Sequence, residues 1–137
     1  VKSLLTLIKL QKTYVDEQRR LLAALQGQLE RIESSITELQ IELAREQVAA
    51  EQSEESRTTY GAFLTAALAR GKALEAERQK MIQEIELARQ KLAELFEEQK
   101  RYEIALENYR KAEAAEAARR DRITLDEVGS VQHGRKD

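Results

Sequence analysis

The chain has 137 residues, of which 35% are charged and 4% aromatic, and it contains no proline, tryptophan or cysteine. Twenty-three basic residues against 25 acidic ones leave a formal net charge of −2 with both signs interspersed, which excludes the basic face of a nucleic-acid binder. The missing thiols exclude disulfides and thiolate metal sites, a usage compatible with the cytosol, and the abundance of Ala, Glu, Lys, Leu, Arg and Gln points to long helices that each bury a narrow stripe rather than a sizeable core.

The opening VKSLLTLIKL is apolar but interrupted by Lys9, and Lys12 follows it. It is too short for a signal-peptide core or a membrane span, so no direct membrane insertion is expected. A helix is predicted from about residue 3, with Ser3 as N-cap, to about residue 56. Its apolar residues fall at Leu4, Ile8, Val15, Leu22, Leu25, Leu29, Ile32, Ile36, Leu39 and Leu43. From Leu22 the steps alternate between three and four, the a/d seam of a coiled coil, and Gln11 and Gln18 occupy seam positions as polar interruptions. The next seam positions are Glu46, Ala50, Ser53 and Arg57, where the apolar pattern fails.

The segment SEESRTTYG, Ser53 to Gly61, gathers poor helix formers, and the tip of a hairpin is predicted at about residues 57–62. A second helix is predicted over about 63–118. Its seam runs through Leu74, Met81, Ile85, Ala88, Leu92, Leu95, Tyr102, Leu106 and Tyr109, with Arg78 and Gln99 in the same register. Residues 121–137 mix charge and glycine and are expected to be a flexible tail.

Both seams share one phase, because Leu22 and Ile85 are nine whole heptads apart. A single continuous helix in a parallel dimer is therefore the competing architecture. Pairing positions that sum to 117 favours the hairpin: Leu25 then faces Leu92, Ile32 faces Ile85, and Gln18 meets Gln99. Two facing glutamines would specify register, whereas one buried amide against leucine would be costly. Only Leu39 against Arg78 is awkward. The expected fold is all-α: a long antiparallel two-helix coiled-coil hairpin forming one domain over 1–120, each arm spanning roughly 80 Å.

No nucleophile–base pair, Walker loop or metal-ligand constellation is present. His133 is the only histidine and lies beside Gly134, where an idle surface role is the simplest reading. Enzymatic activity and a cofactor are not expected. Tyr60, Phe63, Leu64 and Leu68 lie where the first seam has ended. They either cover the turn or form an exposed apolar partner site. Arg19, Arg20, Arg119 and Arg120, with Arg122, either dock on an acidic surface or are simply solvated.

Four short stretches carry a further signal, of which the two terminal ones are not explained by heptads: KSLLTLIKL at Lys2 to Leu10, VDE at Val15 to Glu17, YGAF at Tyr60 to Phe63, and LDEV at Leu125 to Val128. On these the chain resembles the FliJ family of the bacterial flagellar export apparatus, particularly its alphaproteobacterial branch. The resemblance covers the whole length. It implies a hairpin similar to the central stalk of rotary ATPases, which inserts into the hexameric export ATPase, links it to the membrane export gate and interacts with export chaperones. It implies a cytoplasmic protein, peripherally associated with the inner-membrane export apparatus. On that reading the cluster Tyr60, Phe63, Leu64 and Leu68 is the candidate gate contact. Arg19, Arg20, Arg119 and Arg120 are the candidate ATPase contact. A general coiled-coil holdase, a dimeric structural spacer and a virulence-type secretion stalk stay open as alternatives.

Overall fold

The computed structural model describes residues 1–136, with side-chain surroundings to residue 132. Two helices account for almost all of it: α1, Lys2–Gln52, and α2, Glu54–Lys136. No strand occurs among the described residues. The two helices contact each other side by side as a helical hairpin, as the seams require.

The turn lies at Ser53 rather than at the predicted 57–62. Ser53 is the only residue between the helices. Its amide donates to the Ala49 carbonyl at 3.0 Å and its carbonyl accepts from the Arg57 amide at 3.1 Å. Its hydroxyl accepts from the Ser56 amide at 3.4 Å, the N-cap bond that serine is suited to make. Glu54 and Glu55 place negative charge in the first turn of α2, where the helix dipole favours it. The Arg57 side chain reaches back and donates from Nε to the Ala50 carbonyl at 3.1 Å, satisfying one of the orphan carbonyls at the end of α1.

The residues predicted to break the helix are instead absorbed into α2. Thr58 donates to the Glu54 carbonyl at 2.9 Å, Thr59 to Ser56 at 3.2 Å and Thr65 to Gly61 at 3.0 Å. Each hydroxyl is thereby satisfied on the helix's own backbone. Weak propensity over a few residues is overridden by packing against α1. The far end also differs, since α2 continues through residues 119–136, beyond the expected end near 118. An Ala-rich stretch without proline allows this. Asp137 lies outside the described residues.

The contacts form two units, one of Asp16–Ala93 and the other of Val1–Val15 with α2 from Glu94 onward. In the first, Leu39, Ala67 and Leu74 form a buried cluster against which Ile36, Leu43 and Phe63 pack. Leu39 lies over Gly71, its Cδ2 3.6 Å from where a Cβ would stand. In the second, Ile8, Gln11 and Val15 are buried on α1, and Leu5, Ile8 and Leu106 border a shared groove.

These contacts correct the predicted register. Gln11 donates to the Leu95 carbonyl at 2.9 Å and Gln18 to the Ala88 carbonyl at 3.0 Å. Gln99 bonds Glu103 on its own helix at 3.0 Å, so the expected Gln18–Gln99 pair is replaced by two separate solutions. Leu39 and Gly71 sum to 110, one heptad below 117. A turn at Ser53 cannot serve the higher sum, because that register needs its tip between Thr58 and Thr59. The awkward Leu39–Arg78 pairing disappears, and Arg78 forms ion pairs with Glu33 at 3.8 Å and Glu75 at 3.2 Å.

The first seam does not fail at Glu46 either. Burial continues in phase through half-buried Glu46 to Ala50, which is buried. On α2 the seam begins at Ser56 and passes Tyr60, Phe63, Ala67 and Gly71 to Leu74. Two successive steps of four, Phe63 to Ala67 to Gly71, make a stutter that locally unwinds the coiled coil. Small residues and this phase shift hid the start of the second seam.

Candidate partner-binding surfaces

The four residues of the apolar cluster are not equivalent. Phe63 packs on the Leu39–Ala67–Leu74 cluster, so it is part of the interior that holds the helices together. Tyr60 and Leu64 are half-buried. Leu68 is 57% exposed, and of the four it alone presents most of its surface to solvent. Because the turn is at Ser53, the cluster lies along the first turns of α2 rather than in a loop. Helical spacing sets Leu64 and Leu68 on neighbouring turns of one face.

The arginines fall in separate units. Arg19 pairs with Asp16 at 4.0 Å within one turn of α1, and Arg20 beside it is exposed. On α2, Arg119 donates from Nε and Nη2 to the two Glu116 oxygens at 3.0 and 2.7 Å. Arg120 reaches Glu116 at 3.4 Å. These bonds hold the Glu116 carboxyl below the ordinary carboxylate range, with the Arg119 hydrogen bond the largest cause. The same bond raises the Arg119 guanidinium. A partner of this face would meet a preformed arginine pair around one carboxylate.

Upstream on α2, the Tyr109 hydroxyl donates to Glu113 at 3.0 Å, which pushes its pKa up. Tyr109 is 42% exposed, so it is not the seam filler that the second heptad run predicts. Lys111 pairs with Glu107 at 3.0 Å. Such i, i+3 and i, i+4 pairs lend this stretch local support.

Sequence reasoning missed an apolar stripe on the outer face of α1. Leu7, Leu10 and Tyr14 are 42, 45 and 43% exposed, at the steps of three and four that place them on one side. The signal was present as a second heptad set offset by one residue from the seam. The surroundings of the His133 side chain lie outside the described residues.

Among the described residues no helix is long and apolar enough to cross a membrane. Among the described residues, no buried side-chain nitrogen or oxygen lacks a hydrogen-bond partner. No curated protein and no solved structure matches the chain. The family model described as Flagellar FliJ protein matches residues 1–137, the whole chain, and with its two-helix hairpin the chain belongs to that family.

Proposed function

We propose that this protein is the stalk-like coiled coil that binds the hexameric export ATPase, couples it to the membrane export gate and receives export chaperones. Membership of the family makes the chain a component of the flagellar export apparatus. The observation that carries the finer reading is the whole-chain match combined with a hairpin whose helices bury one narrow seam and expose charge elsewhere. A seam of this kind gives two helices mutual stiffness without a pocket-bearing core, which suits a part that works by contact.

The assignments of surfaces follow the exposures. Arg19, Arg20, Arg119 and Arg120 are the proposed ATPase contacts. The gate contact is placed on the face of α2 carrying Tyr60, Leu64 and Leu68, with Phe63 beneath it as support. The protein is placed in the cytoplasm, held at the inner-membrane apparatus through these partners.

The test is reconstitution with the purified export ATPase. Substoichiometric protein is expected to stimulate ATP hydrolysis and promote ring assembly. Absence of both binding and stimulation would remove the stalk reading. Suppression of aggregation of unrelated clients, without any effect on the ATPase, would favour a holdase instead.

A further inference from the structure

We infer that the hairpin has a second coiled-coil register one heptad from the one observed, and that it moves between the two by sliding α1 along α2. Three features of the chain point to it independently of any partner.

The first is phase. Seam positions on α1 and on α2 beyond Gly71 belong to one heptad frame, with Leu22 and Ile85 nine heptads apart. Displacing the helices by seven residues therefore returns seam residues to seam residues. A half-heptad displacement does not preserve the observed layers.

The second is the glutamine ladder. Gln11 and Gln18 are one heptad apart, and the carbonyls they bond, Leu95 and Ala88, are also one heptad apart. Main-chain carbonyls recur at every heptad along α2, so a seam amide displaced by seven residues meets another acceptor rather than being stranded.

The third is the turn. The observed turn at Ser53 is held by the Ser53 cap and the Arg57–Ala50 bond. A few residues later come Thr58, Thr59 and Gly61, all weak helix formers held in α2. A one-heptad slide moves the turn three to four residues toward that segment, lengthening α1 at the expense of α2. The helices shift by about 10 Å relative to each other, the length of seven helical residues.

What separates the two registers is concentrated at Leu39. In the observed register it lies over Gly71. One heptad on, it meets Arg78, which must first leave Glu33 on α1, while its pair with Glu75 lies within α2 and moves with it. Arg78 therefore acts as the bias toward the observed register, and Arg78→Leu removes it.

The chain has no native cysteine, so engineered pairs report register directly. Stepping two heptads from the Leu39–Gly71 contact, Leu25→Cys with Ile85→Cys reads the observed register. Leu25→Cys with Leu92→Cys reads the second. Under mild oxidation of the full chain, the 25/85 pair is expected to close rapidly within one chain. The 25/92 pair is expected to close slowly, and several-fold faster in an Arg78→Leu background.

Failure of the 25/92 pair to close in both backgrounds, while 25/85 closes, overturns the inference. As a check that does not alter the seam, spin labels at exposed Thr37 and Lys91 are expected to give two distances about 10 Å apart. Arg78→Leu should shift their populations. A single distance, unmoved by Arg78→Leu, also overturns it.

Discussion

Gln11, only 6% exposed, donates its side-chain amide to the Leu95 carbonyl on the facing helix at 2.9 Å. The carbonyl belongs to a residue already inside α2, so the bond adds a second donor to a main-chain oxygen with two lone pairs. A buried amide is thereby satisfied by the partner's backbone, and the bond ties α1 to one level of α2. Gln11→Ala is expected to destabilise the hairpin by about 1–2 kcal/mol, through a lost hydrogen bond and lost packing. Gln11→Leu should change stability by less while relaxing the register. Urea unfolding followed by circular dichroism reads the first effect, and intrachain cysteine pairing reads the second.

At the turn, Ser53→Ala is expected to cost about 1 kcal/mol and Ser53→Gly only a few tenths, the usual order for an N-cap. Arg57→Ala should cost a similar amount, because it exposes a carbonyl at the end of α1. If Ser53→Ala left the urea midpoint unchanged, the cap would not hold the turn.

Glycine substitution locates the turn by a different route. Neither Gly61 nor Gly71 has positive φ, and both lie inside α2. Gly61 faces open space, and a Cβ at Gly71 would make an ordinary contact with Leu39. Alanine at either site should stabilise by about 0.5–1 kcal/mol. A loss of stability at Gly61→Ala would return the turn to the Thr58–Gly61 segment.

Phe63 and Leu68 separate folding from binding. Phe63→Ala removes packing from the Leu39 cluster and should cost about 2–3 kcal/mol, toward the low side for a half-buried aromatic. Leu68→Ala should stay within about 0.5 kcal/mol in stability, as exposed sites do. If the α2 face binds the gate protein, Leu68→Ala weakens that binding with helicity unchanged. Unchanged affinity in a calorimetric titration would take Leu68 out of the contact.

The Glu116 carboxyl, depressed by Arg119 and Arg120, gives a pH dependence of definite sign. A carboxyl with a folded pKa below its unfolded value stabilises the helix above the unfolded pKa. That contribution fades as pH falls through the folded one. Helicity of the stretch around residue 116 should therefore decrease on acidification below the ordinary carboxylate range, and Glu116→Gln should remove this component. Because the carboxylate remains open to solvent and screened by it the change is small, and high salt should reduce it further. Residue-resolved chemical shifts across an acid titration measure it.

Periodicity in the sequence determined that the chain is helical with two seams in one phase, since heptad spacing is a local property that folding only has to satisfy. It also placed Leu39, Leu74, Ile85 and Val15 in the interior, and four short motifs, the two terminal ones unexplained by heptads, pointed to the family. The register and the turn were decided by tertiary structure. In a chain whose two seams share phase, several registers satisfy the heptads equally, and the choice falls to contacts between residues far apart in sequence. Gln18 met the Ala88 carbonyl instead of Gln99 because a backbone oxygen carries no side-chain signature. The turn settled on Ser53 because its cap and the Arg57–Ala50 bond, added to Leu39 over Gly71, outweigh the weak helix propensity of Thr58, Thr59 and Gly61.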